Sequence, residues 1–294
     1  MSRSIVPCRR FAAGIFILST TLVAAGCGGS DAPSLDVSVT VDMPDSVPLD
    51  EPLHVTYTWA AASEFEAPMD DYRVFVHAKD SQGNVLFQDD HYPTEPTSQW
   101  AAGQVQTYDR WLYVPKGIEV ENIDFEVGLY SGETRVLLRG EAGTWTNAVA
   151  AHGLEVRLDD MSGIPAYVEG WHVSENDAPG ERTWRWSEGL ARAAFTNPRQ
   201  DSVLHLRAHG PFDEVGAQVL VLRIGETEIA RIDVGSAAEF NERVEIPALA
   251  MGDDDWVELT LEITPVFMPK ELDAKSMDER ALGLQVFSLY LSSS

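Results

Sequence analysis

The sequence contains few cysteines. Among its 294 residues there are two, Cys8 and Cys27, both near the start. The rest of the chain has no thiol for nucleophilic catalysis and no pair of cysteines for a disulfide, so each domain must be stabilised by its own hydrophobic core. The length exceeds that of one average domain and predicts two.

Basic residues are also scarce. The chain has 21 lysines and arginines against 47 aspartates and glutamates, which gives a net charge of −26. Such a surface repels nucleic-acid phosphates, so no nucleic-acid partner is expected. The acidic residues are scattered instead of clustered. This favours a role in solubility, or in salty or cation-rich surroundings, over a binding site for cations or basic partners.

Long apolar runs are missing apart from one near the start, at residues 11–25. This run is too short for a membrane-spanning helix, and polar chain follows it closely. Arg3, Arg9 and Arg10 precede it, and small residues end it. A basic start, a short apolar stretch and a small-residue exit are typical of a secretory signal.

The apolar run leads to a cysteine, in the sequence Ala25-Gly26-Cys27. This ending resembles the signal of bacterial lipoproteins. The resemblance implies that residues 1–26 are removed, that Cys27 is lipidated and that residues 27–34 form a flexible tether to a membrane. Gly28, in place of aspartate, fits the outer-membrane sorting of enteric lipoproteins. The expected location is therefore the cell envelope, at the outer membrane or on the periplasmic face. An ordinary cleaved signal is the alternative.

Strand-like alternation begins directly after the tether. Residues 35–41 and 53–59 place an apolar side chain at every second position, and turn residues separate the strands that follow. Short strands at this spacing predict an antiparallel β-sandwich of the immunoglobulin type over residues 35–150.

The second half has the same pattern with longer strands. Residues 257–263 alternate as a half-buried strand does, whereas residues 218–222 are apolar on both faces, as in a central strand. Pro269 can start one helical turn in a polar segment. The pattern predicts a second antiparallel sandwich over residues 151–294, of the jelly-roll kind seen in carbohydrate-binding modules.

Short motifs occur in a fixed order in both halves. Those of the first half are Val74-Phe75-Val76-His77, Gly83, Asp89-Asp90-His91-Tyr92-Pro93, Pro96-Thr97-Ser98-Gln99-Trp100, Gly103, Asp109 and Val127-Gly128-Leu129-Tyr130. Those of the second half are Gly170-Trp171, Trp184-Arg185-Trp186, Phe267-Met268-Pro269-Lys270-Glu271-Leu272 and Arg280-Ala281-Leu282-Gly283-Leu284. Together they resemble β-sandwich modules appended to lipid-carrier-dependent membrane glycosyltransferases. The resemblance implies accessory, non-catalytic sandwiches in cell-envelope polysaccharide biology, without transferase activity.

The signatures of serine hydrolases are missing. Gly-x-Ser-x-Gly does not occur, and Ser162-Gly163 lacks the preceding glycine. We therefore predict no enzymatic activity. A Ser/His/Asp triad assembled from distant positions, or a hydrolase that uses dispersed carboxylates, stays open as an alternative.

Metal motifs are weak as well. His205 and His209 are four residues apart, but on a predicted strand they do not converge as they would on a helix, which favours ordinary solvent-facing histidines. The turns at residues 89–91 and 253–255 are rich in oxygen ligands but lack the spacing of an EF-hand loop, so solvated acids are favoured over a structural calcium. We predict no metal site and no cofactor.

Aromatic residues supply the candidate ligand site. Trp171 and Trp184 are the predicted platform, because the apolar faces of sugars stack on such rings. Four polar residues nearby in the sequence could bond sugar hydroxyl groups: Arg182, Glu175, Asn176 and Asp177. A place in the core is nevertheless the favoured interpretation of these tryptophans, above all of Trp186. Tyr92 and Trp100 form a weaker candidate pair, for which packing within their loop is favoured.

Together these patterns predict a lipid-anchored cell-envelope protein that acts as a non-catalytic binding or scaffolding module, with an envelope or extracellular glycan as its leading ligand. The alternative is a structural lipoprotein that docks an envelope protein through sheet edges or its acidic face. Two carboxylates about 5–10 Å apart in a deep cleft would instead indicate glycoside hydrolysis.

Overall fold

A computed structural model describes residues 33–115, 118, 120–140, 143–177, 182–236 and 238–293. The predicted signal peptide, Cys27 and the tether up to residue 32 lie outside these described residues. Residues 32–294 form one compact unit, and no helix described within it is long and apolar enough to cross a membrane.

In the described part of the first sandwich there are eleven strands and a 3₁₀ turn at Thr97–Gln99. The strands are β1 (Val37–Asp42), β2 (Ser46–Pro48), β3 (Leu53–Ala61), β4 (Arg73–Lys79), β5 (Val85–Gln88), β6 (Val105–Leu112), β7 (Asn122–Ser131), β8 (Thr134–Arg135), β9 (Leu138–Arg139), β10 (Trp145–Thr146) and β11 (Val149–Arg157). One sheet has the order β1-β3-β6, the other has the order β2-β11-β7-β4-β5 with β8 beside β7, and β9 pairs with β10. The described pairings are antiparallel except for β2 with β11, which is parallel.

Both ends of the first sandwich differ from the predicted boundaries. The backbone N–H of Leu137 donates to the carbonyl of Pro33 (2.8 Å), and Ser34 forms an isolated bridge with Leu137, so hydrogen bonding to the sandwich already occurs within residues 27–34, the predicted tether. At the other end, the predicted division at residue 150 falls within β11. Residues 149–157 of that strand pair with β7 and β2 and therefore belong to the first sandwich.

Alternation along the strands builds the core of the first sandwich. On β3, every second side chain faces inward and is at most 1% exposed: Leu53, Val55, Tyr57 and Trp59. They pack in one cluster with inward residues of β4 and β7 such as Val76 and Phe125. Each large side chain buried in this way stabilises the domain by roughly 1.5–3 kcal/mol, which explains how the sandwich holds together without disulfides.

The described residues of the second sandwich form nine strands and three single-turn helices. They are β12 (Ala166–Trp171), β13 (Glu175–Asn176), β14 (Thr183–Thr196), β15 (Ser202–His209), α1 (Phe212–Val215), β16 (Gln218–Ile224), β17 (Thr227–Val234), β18 (Glu239–Ile246), α2 (Ala248–Met251), β19 (Trp256–Thr264), α3 (Pro269–Leu272) and β20 (Gln285–Ser293). The strand order is β17-β16-β19-β14-β20-β15-β18, and β12 and β13 also pair with β14.

The long strand β14 is shared by two layers. Its residues 190–196 pair with β19, whereas residues 185–186 pair with β20. The strands therefore form two facing sheets with one apolar cluster between them, to which β19 contributes Val257, Leu259, Leu261 and Ile263. β16 lies between β17 and β19, as its apolar composition predicts. The all-β prediction of an immunoglobulin-like sandwich followed by a jelly-roll-like one is confirmed.

The two sandwiches contact each other through aromatic and cationic side chains. The ring of Trp111, on β6, lies 4.7 Å from that of His205, on β15. The guanidinium carbon of Arg243, on β18, lies 4.8 Å from the centre of the same indole. Tyr290, on β20, is 2% exposed and fits only because Gly163 has no side chain, since a Cβ there would lie 2.3 Å from the Tyr290 ring. Trp111 belongs both to this contact and to the lining of the cleft described below.

Candidate ligand-binding cleft

A cleft of about 360 Å³ lies beside the contact between the two sandwiches. The first sandwich contributes residues 87–89 and 110–115, and the second contributes residues from the start of β14 and from β15, β18 and β20. Its volume lies in the range of small-ligand sites. Ligand pockets often form where two domains meet, because neither domain alone has the necessary concave surface.

Aromatic rings form part of the cleft wall. Phe287, on β20, lies with its ring centre 4.4 Å from the guanidinium carbon of Arg182 and 5.8 Å from that of Arg207. Arg207 also approaches the ring of Tyr113 from the first sandwich, at 5.3 Å. The rings and cations thus alternate across the boundary between the domains, at distances that allow cation–π attraction.

Two ion-pair groups line the same cleft. Glu239, at the start of β18, accepts hydrogen bonds from both Arg182 and Arg207. This follows from the antiparallel register, in which Arg207 of β15 lies opposite residue 241 and diagonal to Glu239. From the first sandwich, Arg110 donates two bonds to Asp89, from Nε at 2.8 Å and from Nη2 at 3.0 Å.

Asp89 also belongs to a buried network in the first sandwich. His91 Nδ1 lies 2.9 Å from the Asp89 carbonyl and 3.4 Å from its carboxylate, and His91 Nε2 lies 2.9 Å from Tyr108 Oη. Burial opposes ionisation of Asp89, but the hydrogen bonds from His91 and Arg110 outweigh it and lower the pKa of Asp89 to about 2. Burial raises the pKa of Tyr108 to about 12. A carboxylate that is always ionised is not a general acid, and a phenol this weakly acidic is not an activated nucleophile.

Two polar atoms on cleft-lining residues lack a hydrogen-bond partner among the described residues. They are Trp111 Nε1, a donor, and Tyr113 Oη, which can donate or accept. Buried polar atoms are nearly always bonded to protein, water or ligand. Both atoms are themselves buried, so a ligand in the cleft would reach them only through a shift of the side chains that cover them. Trp111 and Tyr113 are candidate contact residues on that basis.

The structure does not bring the two predicted platform tryptophans together. Trp171 lies opposite Ser187 in the β12–β14 pairing, whereas Trp184 is three positions earlier on β14, so their side chains leave opposite faces. The indole nitrogen of Trp171 donates to the Arg192 carbonyl (2.8 Å), and the ring packs against the core of the second sandwich. Trp184 instead faces Phe287, with 6.4 Å between ring centres.

The four predicted polar residues lie on the β13–β14 hairpin, but only Arg182 lines the cleft. Glu175 is bound by Arg280 and accepts a long bond from the Trp184 indole (3.3 Å). Asp177 accepts from the backbone N–H of Arg182 (3.1 Å), and Asn176 is exposed opposite Thr183 in the ladder. These contacts show that the polar residues of the hairpin bind protein groups. The role of the hairpin is to position Arg182 at the cleft, and it does not form a separate site among the described residues. Trp186 is partly buried against Phe267, with 5.9 Å between ring centres.

Tyr92 and Trp100, the weaker candidate pair, lie in different environments. Trp100 is 4% exposed, lies tilted against Trp59 with 5.9 Å between ring centres, and donates to the Glu95 carbonyl, whereas Tyr92 is 60% exposed. Loop packing therefore accounts for Trp100. Tyr92 lies near the cation of Arg73, at 5.4 Å.

No group of three or more potential metal ligands occurs among the described residues. The interpretation of His205 as solvent-facing is wrong, because Trp111 covers it and it is fully buried. Its Nε2 lies 2.9 Å from Ser292 Oγ. Burial, reinforced by the nearby Arg243, lowers the pKa of His205 to about 4.

In the oxygen-rich turn at residues 253–255, the carboxylate of Asp255 forms an ion pair with Arg199 at 2.6 Å.

Most of the cleft residues carry no signal in the sequence. Arg207 and Glu239 are ordinary outward-facing residues of alternating strands, 32 positions apart, and Phe287 comes from the last strand. Their proximity depends on the order of β15, β18 and β20 in the sheet. The order of these strands, unlike their existence, cannot be derived from period-two patterns.

No protein-family model matches the sequence, and no curated protein matches it. Among solved structures, SGBP-B from a complex xyloglucan utilization locus in Bacteroides uniformis is similar at 10% identity, over 89% of this chain and 100% of that one, with a TM-score of 0.30. A Bacteroides uniformis beta-glucuronidase aligns at 10% identity over 87% of this chain, with a TM-score of 0.28. This chain spans only 30% of that enzyme. The CBM51-2 and INT domains of Clostridium perfringens ZmpB align at 8% identity over 58% of this chain and 37% of theirs, with a TM-score of 0.27. TM-scores of this size carry no inference about ligand or activity.

Proposed function

We propose that this chain is a non-catalytic protein of the bacterial cell envelope, lipid-anchored at Cys27, that binds a glycan in the cleft between its two sandwiches. The single observation that carries the glycan assignment is the pairing, within one cleft, of aromatic rings with unpartnered polar atoms. Trp111 Nε1 and Tyr113 Oη are buried without a partner among the described residues, and the ring of Phe287 lines the same cleft.

Sugars match this combination of groups. A pyranose has apolar faces that pack on aromatic rings and hydroxyl groups around its edge that donate and accept hydrogen bonds. The guanidinium and carboxylate groups in the cleft are held by one another, so they offer hydrogen bonds in fixed directions with little loss of side-chain entropy on binding.

The electrostatics of the cleft favour binding over hydrolysis. Glycoside hydrolysis requires one carboxylic acid with a raised pKa beside a second carboxylate. In this cleft the pKa of Asp89 is lowered to about 2, and Glu239 is bound by two arginines. Neither carboxyl group is arranged as a proton donor.

The test uses a fragment of residues 32–294, the compact unit, on an array of oligosaccharides. The variants are Tyr113→Phe, which removes only the unpartnered hydroxyl, and Phe287→Ala, which removes a cleft ring. The control is Trp256→Ala, since Trp256 is 59% exposed and lies outside the cleft.

Binding that both cleft variants weaken by at least about fivefold, and that Trp256→Ala leaves unchanged, supports the proposal; loss of one hydrogen bond alone accounts for several-fold. If no oligosaccharide binds, the glycan proposal is refuted and cross-linking for an envelope protein becomes the next experiment. Binding that persists in both cleft variants would place the site elsewhere.

Lipid anchoring is tested separately in the full chain. Cells that express it are fed an alkyne-labelled fatty acid, and the protein is compared with Cys27→Ala. A label on the wild type that the variant lacks supports anchoring at Cys27. An unlabelled wild type contradicts it.

A further inference from the structure

We infer that the cleft selects an uncharged, hydroxyl-rich saccharide and discriminates against uronates and against sulfated or phosphorylated sugars. This inference rests on the proposed function and specifies its ligand class. The observation that carries it is the balance of charge inside the cleft, which differs from that of the protein as a whole.

The chain carries a net charge of −26, yet the formal charges that line the cleft cancel among the described residues. Three arginines contribute positive charge: Arg110, Arg182 and Arg207. Three carboxylates contribute negative charge: Asp50, Asp89 and Glu239. The matched numbers mean that the cleft itself offers no excess charge to an ionic ligand.

The arginines are already committed to protein carboxylates. Arg110 is bound bidentately by Asp89, and Glu239 is shared by Arg182 and Arg207. An anionic sugar that used the remaining N–H donors of these arginines would place its charge beside a protein carboxylate that already neutralises the guanidinium, so like-charge repulsion would offset the attraction. If the sugar displaced that carboxylate instead, the protein group would be left partly buried without its partner, which is strongly unfavourable.

A neutral hydroxyl group requires no such displacement. A guanidinium has five N–H donors, and Arg110 uses only two of its own on Asp89. A carboxylate has about four lone-pair positions, so it can accept from a ligand hydroxyl while it keeps its arginine. The unpartnered Trp111 Nε1 and Tyr113 Oη add two further neutral hydrogen-bonding groups.

The electrostatic field of the whole protein also favours neutral over anionic glycans. Because the protein is strongly acidic, an anionic glycan is repelled before it reaches the cleft, whereas a neutral glycan is not. Binding of the neutral class is therefore expected to depend weakly on salt, since no ligand charge is screened.

The experiment compares hexose oligosaccharides with hexuronate oligosaccharides of the same linkage and length, by calorimetry on the fragment of residues 32–294. The variant is Glu239→Gln, which removes one negative charge and leaves Arg182 and Arg207 without their shared carboxylate. The matched control is Glu228→Gln, because Glu228 also bridges two arginines, Arg223 at 3.1 Å and Arg231 at 2.9 Å, but lies on β17 outside the cleft.

We expect the wild type to bind the neutral member of a pair at least about tenfold more tightly, with less than about a threefold change in Kd between 50 and 500 mM sodium chloride. Glu239→Gln should narrow or reverse that preference, and Glu228→Gln should not. Tighter binding of the uronate by the wild type, abolished by Phe287→Ala, would overturn this inference while leaving the glycan-binding proposal intact. Absence of binding by either class would overturn both. Circular dichroism melts of each variant establish that it is folded at the temperature of titration.

Discussion

The unpartnered hydroxyl of Tyr113 and the bonded hydroxyl of Tyr108 provide a sharp comparison within one sandwich. Tyr108 lies on β6, and Tyr113 directly follows that strand. Tyr108 Oη is 2.9 Å from His91 Nε2 and accepts a longer bond from Trp59 Nε1 at 3.4 Å. Tyr113 Oη has no partner among the described residues. Replacing either tyrosine by phenylalanine keeps the ring and removes only the oxygen.

The expected changes in stability have different signs. Tyr108→Phe leaves His91 Nε2 without a partner, and each buried polar atom left unsatisfied costs about 1–3 kcal/mol. The long bond from Trp59 adds only part of a second loss, so we expect the free energy of unfolding to fall by about 2 kcal/mol. Tyr113→Phe removes a polar atom that had no partner, so we expect stability to be unchanged or to rise by up to about 1 kcal/mol.

Urea unfolding of residues 32–294, followed by tryptophan fluorescence, measures both changes. With a urea slope of about 2 kcal/mol/M, Tyr108→Phe should lower the unfolding midpoint by roughly 1 M. Because both residues belong to the first sandwich, differences between the variants are not due to different unfolding units. Equal losses of stability in the two variants, or a larger loss for Tyr113→Phe, would refute the view that the Tyr113 hydroxyl is reserved for a ligand.

Three further predictions concern acidity, packing and backbone geometry. Burial keeps the folded-state pKa of His205 at about 4, below its unfolded value near 6.5. The contribution of His205 to the free energy of unfolding is therefore complete above pH 6.5, and it is lost, by up to roughly 3 kcal/mol, as the pH falls to 4. His205→Asn should flatten the dependence of the unfolding free energy on pH when it is measured between pH 6.5 and pH 4. Trp171→Ala should lower the unfolding free energy by about 3 kcal/mol, because the ring packs against the core. At temperatures where the variant is folded, its Kd for a glycan should stay within twofold of the wild-type value. A loss of binding without a loss of folding would show that Trp171 contacts the ligand. Gly170 and Gly103 have nearly the same φ, +73° and +72°, but a Cβ at Gly170 would lie 1.9 Å from the Leu190 carbonyl oxygen, whereas Gly103 faces open space. Gly103→Ala should therefore lower the unfolding free energy by about 1 kcal/mol, and Gly170→Ala should lower it by at least about 3 kcal/mol. Similar melting temperatures for the two variants would contradict this prediction.

The strands and the fold class could be predicted from the sequence because both depend on local alternation. The segments at 53–59 and 257–263 have one apolar face each, and in the structure those faces are buried. The apolar segment at 218–222 could be assigned to the interior of a sheet for the same reason.

The site was harder to predict, because side-chain environment depends on the neighbouring strands. Trp171 and Trp184 are equally aromatic in the sequence, but pairing with Ser187 turns the first toward the core. His205 follows the polar pattern of an outward-facing residue, and it is buried only because the first sandwich covers that face. No pattern within one strand indicates that a second domain will dock on its outer surface. Of the predicted polar residues, Arg182 alone lines the cleft.

The shared strand β14 has a consequence for how the second sandwich opens. Because its first part is hydrogen-bonded to β20 and its last part to β19, neither sheet can separate without breaking bonds to the same strand. The two sheets therefore form a single cooperative unit instead of two independently fraying layers. In native-state hydrogen exchange, the paired amides of residues 190–196 should be exposed only by global unfolding of that sandwich. The edge strand β17, which is paired on one side only, should exchange through smaller openings.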